Sequence, residues 1–433
     1  MHYVETVLTV TNALLTLLGV LLAHFIVFAV IGILAKKTYP EREEKLRYGL
    51  IIPARNEEAV VAGLIESIRK NDYPQQQLQI FVIAHNCTDR TAQVARDAGA
   101  TVYEYSNPAE NTMGYAFRYL FSKIEADYGT QSFDGFFLFN ADNVLDRQYL
   151  SRMNDAFLYY DKTSVITSYR NSKNFGANLL SGLYGMYFAV GCLMESRGRT
   201  VAGCATRVQG TGYLIPARLV EHGWKYVTLT EDWEFTGDNV WSGTLIRYCD
   251  DAIFYDEQPT SLRIMWRQRV RWARGHLIVF FTHFRTYFRA IFRRETRHRF
   301  SLYDITMYLI PSVFLSLALQ LLQYVLLLFA PLADSSCSLR EIFLNPASGV
   351  LFALLRSTVF SYVSTVISAV LVFVIERKRI RQVTLPRKIL IALTWPLFLA
   401  IQFPIDVQAV FSRNLGWKPI PHNDRTSFEE VNK

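Results

Sequence analysis

The sequence predicts an α/β fold in which a mostly parallel sheet has helices on both faces and is joined to membrane-spanning helices. Between residues 47 and 260, short apolar runs alternate with stretches of helical spacing. Long apolar segments without charges stand before and after that region. Strands that alternate with helices form parallel sheets covered on both faces, and an uncharged apolar segment of roughly 20 residues is enough for a membrane span.

Length and charge narrow the possible functions. The chain has 433 residues and a net charge of +8, which leaves room for a catalytic domain and a separate membrane part. Residues 263–299 contain eleven Arg. Because this stretch lies between predicted spans, we interpret it as a face that meets anionic lipid and not nucleic acid. The five Cys show no paired spacing, so neither a disulfide framework nor a zinc site is predicted.

The first element is a predicted membrane helix. Residues 7–35 contain no Asp, Glu, Lys or Arg, and Lys36 and Lys37 follow directly. Positive charge marks the cytoplasmic end of a span. We therefore expect the N-terminus to face outward and the following domain to lie in the cytoplasm.

The sheet domain follows, with strands and helices in alternation. Strands are predicted at 50–53, 79–84, 101–105 and 135–139, and helices at 56–69, 89–98 and 112–126. Asn174 to Glu195 is uncharged except at its end. Because Gly, Ser and Asn recur through it, we interpret it as a buried helix of the domain, with a membrane span as the alternative.

Three more membrane segments are predicted after the arginine-rich stretch, at 305–333, 351–375 and 389–410, the last interrupted by Pro396, Pro404 and Asp406. Residues 277–292 combine apolar side chains with Arg at helical spacing, which predicts an interfacial helix lying on the membrane. The predicted division of the chain is 1–46 (helix and linker), 47–260 (catalytic domain), 261–300 (interfacial helices), 301–413 (membrane helices) and 414–433 (tail).

Polar residues cluster where the predicted strands end. They are Arg55 with Glu57, His85, and Asn140 with Asp142. Ligands of parallel sheets bind beyond the carboxyl ends of the strands, so we expect a site there. Asp142 is a candidate ligand for a divalent metal, because hard cations prefer carboxylate and amide oxygens. The alternative is that Asp142 only caps a turn.

A second acidic segment is Thr230-Glu231-Asp232. A carboxylate there can accept the proton of an attacking hydroxyl. The alternative is that these acids stabilise the beginning of a helix. Upstream, Gly210 and Gly212 predict a sharp turn or a close approach of the backbone to a ligand.

The third segment is a helix face. In a helix over 262–276, Gln268, Arg271, Trp272 and Gly275 lie on one side. The guanidinium can bind phosphate oxygens in a bidentate manner, and the indole suits the apolar face of a sugar. The alternative is that Trp272 only anchors the helix at the membrane. Together the three segments suggest a sugar-transferring enzyme that delivers its product to a membrane.

The order and spacing of these segments resemble a known family. Pro53 to Glu57, Asn140 to Asp142, Thr230 to Asp232 and Gln268 to Trp272 are similar to motifs of the membrane-integrated processive glycosyltransferases of family 2, which include cellulose, chitin, hyaluronan and poly-N-acetylglucosamine synthases. The resemblance covers residues 48 to 422. It implies a GT-A type (Rossmann-like) domain, a UDP-sugar donor, and Mg²⁺ or Mn²⁺ as cofactor.

The resemblance also implies roles for individual residues. Asp232 is the expected base of an inverting transfer, and Asp142 the expected metal ligand. Acceptor contacts are expected from Thr230, Glu231 and Trp272. Contacts to the nucleotide sugar are expected from Pro53, Arg55, Glu57, His85, Asn140, Gln268 and Arg271.

Three positions depart from the family pattern. Asn140 stands where members usually have Asp, His85 lies where many have an acid, and Met113 replaces a Lys. The expected activity is polymerisation of a β-linked polysaccharide from UDP-glucose or UDP-N-acetylglucosamine, with translocation across the plasma membrane. Its expected partners are a glycan acceptor and membrane lipids, with accessory or secretion subunits unspecified. The alternatives are non-processive transfer to a lipid-linked acceptor, or a catalytically degenerate homologue that acts as an assembly subunit.

Overall fold

A computed structural model describes residues 2–333, 335, 337–345, 349–412 and 420–432. The strands in this part of the chain are β1 Tyr48–Ala54, β2 Leu78–His85, β3 Thr101–Tyr105, β4 Gly135–Leu138, β5 Val144–Leu145, β6 Val165–Ser172, β7 Tyr213–Pro216 and β8 Ile246–Asp256. The four strands predicted from the sequence are all present as β1 to β4.

The helices begin with two apolar ones and continue through the domain. They are α1 His2–Leu22, α2 His24–Leu34, α3 Val61–Arg69, α4 Thr91–Asp97, α5 Met113–Tyr128, α6 Tyr149–Tyr159, α7 Leu179–Val190, α8 Gly198–Val201, α9 Glu231–Trp241 and α10 Leu262–Ile291. The C-terminal ones are α11 Arg299–Tyr308, α12 Ser312–Leu328, α13 Ala330–Ala333, α14 Leu339–Leu344, α15 Val350–Ile375, α16 Leu385–Ala400, α17 Gln402–Phe411 and α18 Phe428–Val431.

Two predicted helices begin later than expected, for local reasons. Asn56 has a φ of +59°, so the chain is not helical there and α3 starts at Val61. Asp89 accepts a hydrogen bond from the backbone N–H of Thr91 at 3.0 Å, so it precedes α4 instead of belonging to it. Asx side chains commonly make such local bonds before a helix.

The sheet is mixed, with the order β3-β2-β1-β4-β7-β6-β8-β5. Strands β1 to β4 pair in parallel, whereas β7 runs antiparallel between β4 and β6, and β5 antiparallel to β8. Almost every residue of β1 and β4 is buried, as expected for central strands covered on both faces. The predicted α/β class is therefore confirmed, with antiparallel strands added beyond β4.

Two hydrophobic cores cover the sheet, and a third joins it to the apolar helices. One core contains side chains of α5, α9 and α11, and the other contains side chains of α3 and α6. The third is built from α7, α15, α16 and α17. Helix α10 belongs to two of them: Met265 and Val270 pack in the third core, whereas Val279 and Tyr287 pack in the first.

Helix α10 corrects one prediction. The expected interfacial helix at 277–292 is not separate, because α10 runs without a break for 30 residues. Val279 and Tyr287 are fully buried against the domain, while Phe281 on the other side is 78% exposed. No proline interrupts the segment, and a single helical glycine such as Gly275 costs only about 1 kcal/mol.

Three helical segments in the described residues are long and apolar enough to cross a membrane: His2–Leu34, Val350–Ile375 and Leu385–Phe411. The predicted segment 305–333 differs, because it is divided into α11 and α12, which meet at an angle of 56°. Pro311 lies at the break, and a proline lacks the N–H that a continuous helix needs. This bent pair makes a fourth span only if its two helices are counted together.

The segment Asn174 to Glu195 forms α7 and then a π-helical stretch, Gly191–Arg197. Asn178 caps α7, since its side chain accepts a hydrogen bond from Ser181 N. The side chains of α7 pack both against the sheet domain and against α16. The segment is thus a buried helix, as predicted, and it lies where the domain meets the apolar helices.

The tail returns to the domain. In the described residues 420–432, Phe428 is buried and its ring lies near the cations of Lys70 and Arg147. Residues 414–419 and 433 of the predicted tail lie outside the described residues. The predicted division of the chain into five parts stays a prediction. Residues of α10 and α11 pack in a core of the sheet domain, so this core extends beyond the predicted boundaries near 260 and 300.

A buried ion cluster fastens the end of α15 to β8. Asp250 contacts Arg197 at 2.7 Å and Arg379 at 2.8 Å, and Glu376 contacts the same two arginines. Burial opposes the ionisation of Asp250, but Arg379 and Arg197 together hold its pKa below the ordinary value. Each buried charge in the cluster therefore depends on its partners.

We predict that Asp250→Ala lowers the free energy of unfolding by about 3–5 kcal/mol, because Glu376 alone is then left to balance two buried arginines. Because the pKa of Asp250 is lowered, its contribution is present at neutral pH and is lost as the pH falls through the folded-state pKa. Chemical denaturation of the detergent-solubilised protein measures this. The control is Asp251→Ala. Asp251 is 35% exposed, pairs with Lys36 and reaches Arg379 of the cluster only at 3.8 Å; its loss should cost about 0–1 kcal/mol. Equal losses in both variants would contradict the prediction.

Candidate active site

One cavity of about 510 Å³ lies between the sheet, α9, α10 and the apolar helices. Seven of the residues predicted for the site line it: Asn140, Thr230, Glu231, Asp232, Gln268, Arg271 and Trp272. These residues come from three segments that are far apart in the sequence. The structure therefore brings the three predicted motifs together around one space.

The predicted face of α10 forms one wall. Arg271 donates from Nη1 to the carbonyl oxygen of Leu229 at 2.8 Å. Gln268 accepts a hydrogen bond from the hydroxyl of Tyr184 at 3.1 Å. The rings of Tyr184 and Trp272 lie edge to face, with centroids 6.4 Å apart. The wall thus combines a cation, an amide and two aromatic rings. The helical spacing predicted all of these groups except the ring of Tyr184.

The acidic segment, at the beginning of α9, also lines the cavity. Glu231 and Asp232 lie in the first turn of α9, as the helix-start interpretation predicts, and they also line the cavity. The role of a base stays a prediction. Burial raises the pKa of both carboxyl groups above their ordinary values, and Asp232 adds to the effect on Glu231. Two adjacent buried carboxylates do not ionise together easily.

The loop before β7 supports Asn140. Thr211 Oγ1 accepts a hydrogen bond from the backbone N–H of Asn140 at 2.8 Å. Gly210 and Gly212 on either side have φ values of +77° and +66°, a region that favours glycine. A Cβ on Gly212 would also lie 2.1 Å from the ring of Phe254. The predicted sharp turn is confirmed, and it positions a residue of the cavity.

The other five predicted residues lie outside the cavity lining. Pro53 is in β1 and Arg55 follows it. Buried His85 ends β2, where it contacts the carbonyl of Glu110 and stacks on Tyr105. Glu57 and Asp142 belong to a separate acidic cluster. These residues line the strand ends beside the cavity, as the sheet topology requires.

The acidic cluster has a partner that the sequence did not predict. His422, from the tail, contacts both carboxylate oxygens of Glu57, at 2.9 and 3.0 Å. Glu257 accepts hydrogen bonds from the backbone N–H groups of the next two tail residues. Burial alone would lower the pKa of His422, but Asp142 and Glu57 raise it to about 9. The imidazole of His422 is therefore in its cationic form at neutral pH, beside Glu57 and Asp142.

Asp142 is suited to a metal only with help from a ligand. Its carboxylate accepts hydrogen bonds from Glu257 N at 2.9 Å and Asn143 Nδ2 at 3.3 Å. Among the described residues, no three His, Cys, Asp or Glu side chains are arranged as a metal-binding group. Mg²⁺ commonly uses one or two carboxylates together with substrate phosphates. The residues fit that kind of site.

Where the cavity meets the apolar helices, it holds polar groups that the sequence analysis missed as site residues. Arg269 donates from Nη2 to Gln402 Oε1 at 2.7 Å, and Gln402 donates from Nε2 to Asp406 at 2.6 Å. An ionisable side chain inside an apolar span usually marks a functional path, so Asp406 was a usable sequence signal. Further lining residues without an assigned role are Arg170, Arg207, Trp233 and His276.

Comparisons with known proteins identify related sequences. A family model described as "Glycosyltransferase like family 2" matches residues 46–275. The probable glycosyltransferase YdaM of Bacillus subtilis is 24% identical over 239 residues, 55% of this chain and 57% of that protein. A beta-monoglucosyldiacylglycerol synthase of Nostoc sp. is 22% identical over 278 residues, 61% of this chain and 56% of that protein. The matches thus span just over half of these two relatives.

A third relative and one solved structure complete the comparison. A poly-beta-1,6-N-acetyl-D-glucosamine synthase of Staphylococcus aureus is 27% identical over 148 residues, 33% of this chain and 35% of that protein. The mannosyltransferase PcManGT from Pyrobaculum calidifontis, solved with GDP-Man and Mn²⁺, covers 93% of this chain and 99% of its own, with a TM-score of 0.58 and 15% identity. At that identity the likeness establishes the fold alone, a GT-A type α/β fold.

The geometry predicts that Gly275→Ala disables the site. A Cβ on Gly275 would lie 2.4 Å from Cγ2 and 2.6 Å from Oγ1 of Thr230, so either α10 or the acidic segment must move. Displacement by about an ångström costs about 10²-fold in rate. Turnover of the nucleotide sugar expected from the resemblance is the measurement.

The matched control is Gly63→Ala in α3, where a Cβ would meet nothing within 4 Å. There the exchange should leave turnover unchanged and raise stability by about 0.5–1 kcal/mol. Normal turnover in Gly275→Ala would show that the contact with Thr230 does not position the site.

Proposed function

Because the chain belongs to the glycosyltransferase-like family 2, whose model matches more than half of it, we propose that it is an inverting, membrane-bound enzyme that polymerises a β-linked glycan from a UDP-sugar. The observation that carries this proposal is the cavity of about 510 Å³ that the three motifs share. Its lining includes Asp232 and Arg271 together with Gln402 and Asp406 of the apolar helix α17. A product formed beside Asp232 would meet these polar groups on its way toward the apolar helices.

The donor would lie between the strand ends and α10. Arg271 and Gln268 would hold the diphosphate, and Arg55, Glu57, His85, Asn140 and the backbone at Pro53 would surround the nucleotide. Asp142 would bind Mg²⁺ or Mn²⁺, with the donor phosphates supplying further ligands. When bound, the ion neutralises charge on the diphosphate. The GDP-Man and Mn²⁺ present in the PcManGT structure support a donor and cofactor of this class.

Asp232 is the proposed base. The acceptor oxygen forms a bond to the anomeric carbon while the bond from that carbon to the diphosphate oxygen breaks. The nucleoside diphosphate leaves with the electron pair, and Asp232 takes the hydroxyl proton. Attack from the face opposite the leaving group inverts the anomeric carbon. Thr230 and Glu231 would line the acceptor side, and Trp272 would stack on the acceptor sugar.

The proposed arrangement in the cell follows from the charge pattern. Lys36 and Lys37 end the first apolar segment, and the arginines of 263–299 precede the next one. Positive charge favours the cytoplasmic side. We therefore place residues 36–300 in the cytoplasm, where nucleotide sugars are made, and the spans in the plasma membrane.

A second candidate function is transfer of one sugar to a lipid-linked acceptor. The observation that favours it is the apolar part of the cavity's membrane end, which is lined by Val313, Phe314, Leu399 and Val410. An acyl chain could lie there with its hydroxyl-bearing head near Asp232. The name of the beta-monoglucosyldiacylglycerol synthase relative supports the same reaction class. The length of the product separates the two candidates.

The first test of the proposal is Asp232→Asn. An amide cannot accept the hydroxyl proton, and losing a general base costs about 10² to 10⁴-fold in rate. We expect UDP release from UDP-glucose or UDP-N-acetylglucosamine to fall by that factor, while UDP binding measured by calorimetry stays close to wild type.

The control is Asp238→Asn on the same helix. Asp238 pairs with Lys225 and accepts a hydrogen bond from Tyr226 outside the cavity, so its exchange should leave turnover unchanged. Wild-type turnover in Asp232→Asn would remove this residue from the role of base.

The second test is the product made by Trp272→Leu in lipid nanodiscs. Leucine preserves apolar anchoring but removes the flat ring, so we expect a polymer series in wild type to become much shorter, with slow UDP release retained. Mass spectrometry of the products measures this. The control is Trp266→Leu, whose ring packs in the same core but contacts Gln408 instead of lining the cavity. A single sugar added to lipid by wild type would favour the second candidate.

A further inference from the structure

Asp232 and its neighbour Glu231 are both acidic residues. Asp232 can act as the base only if it is the ionised one of the two. Glu231 and Asp232 are adjacent, both line the cavity, and burial disfavours the charge of each. When two carboxyl groups share a buried site, one of them keeps its proton. The choice between them decides which side chain can act as a base.

Arg207 lines the same cavity as the pair and stands over the side chain of Trp233, the residue that follows Asp232. It comes from the segment before β7, and its guanidinium lies between the rings of Trp233, at 5.0 Å, and Tyr308, at 5.2 Å. It pairs with Glu195 at 3.3 Å, and its side chain is 13% exposed. Its Nε has no hydrogen-bond partner among the described residues. The cation is therefore held by Glu195 and by two aromatic rings.

The Arg207 cation influences Asp232 without forming a direct bond to its carboxylate. Asp232 Oδ1 accepts a hydrogen bond from the backbone N–H of Trp233 at 3.0 Å. Its Oδ2 faces Gly210, where an added Cβ would stand 3.5 Å away. No ion pair within 4 Å involves Asp232 in the part of the chain that the structure describes. A nearby but unbonded cation stabilises the carboxylate and leaves an oxygen free to accept a proton.

Among the surrounding charged groups, Arg207 is the one that distinguishes Asp232 from Glu231. Of the positive groups, Arg207 opposes the burial effect on the pKa of Asp232 most strongly, whereas Arg271 acts on both acids. His276 contributes no charge at neutral pH, since burial lowers its pKa to about 4. The other titratable groups that face the acids or Arg207 are Glu234 on α9, Tyr213 on β7, Glu195 on the π-helical stretch, Tyr187 on α7 and Tyr308 on α11.

We propose that Arg207 is a positioning residue for the transfer reaction, which makes Asp232 and not Glu231 the ionised member of the pair. The inference rests on the proposed function, because it assigns the base of that reaction. Arg207 touches neither the donor nor the transferred proton in this scheme. Its effect reaches the reaction through the charge of Asp232 alone.

The pH dependence of kcat/KM for UDP release tests the inference. Removing the cation in Arg207→Gln destabilises ionised Asp232, so the acid limb of the profile should move to higher pH by about 1–3 units. Activity lost at neutral pH should return in part at higher pH. Arg207→Lys retains a positive charge and should restore most of the original profile.

The control variant is Arg247→Gln. Arg247 also stands over an aromatic ring, that of Tyr160 at 5.0 Å, and also has a buried Nε without a partner among the described residues. It lies in β8, away from the cavity lining. Its loss should leave the acid limb in place, even if stability falls as much as in Arg207→Gln.

A second variant acts in the opposite direction and does not depend on the folding of Arg207→Gln. In Glu195→Gln the carboxylate that pairs with Arg207 is gone, so the acid limb should move to lower pH. An unmoved acid limb in Arg207→Gln, or in Glu195→Gln if the first variant does not fold, overturns the inference even where the rate falls. Absence of UDP release by wild type instead overturns the proposed function.

Discussion

The site depends on the close packing of one helix against one short segment. Gly275 of α10 meets Thr230 where any larger side chain would overlap it. The first half of α10 packs in the core shared with the apolar helices, and its second half packs in the core of the sheet domain. The α10 wall of the cavity stays in place because both cores hold this helix. The sheet alone supplies the strand-end residues and leaves the cavity without its Gln268, Arg271 and Trp272 wall.

Sequence analysis predicted what depends on local spacing. The face shared by Gln268, Arg271 and Trp272 follows from the helical repeat, and the grouping of Glu57, His85 and Asp142 follows from the parallel strands. It missed His422, which meets Glu57 across 365 residues of sequence, because no periodicity links a tail to a strand end. It also placed a separate helix at 277–292, since the alternation of Arg and apolar residues does not reveal that Tyr287 is buried in the domain.

The charges of the site are separated into two groups. At the strand ends, Glu57, Asp142 and Glu257 surround the cationic His422. In the cavity, the acids Glu231 and Asp232 face Arg207 and Arg271. The first group is suited to a cation with its phosphates, and the second to a proton acceptor. Arginine suits the second group because its charge persists when buried, whereas histidine there, as at His276, loses its proton.

The length of α10 has a mechanical consequence. Thirty residues of helix extend about 45 Å, and Arg269 near one end is bonded to Gln402 and to the carbonyl of Phe398, on either side of the break between α16 and α17. In the proposed membrane arrangement, a bilayer thicker or thinner than the hydrophobic length of Leu385–Phe411 changes the tilt of that span. Arg269 connects that span to α10, and the contact between Gly275 and Thr230 connects α10 to the acidic segment. We therefore expect the catalytic geometry to depend on the acyl-chain length of the surrounding lipids.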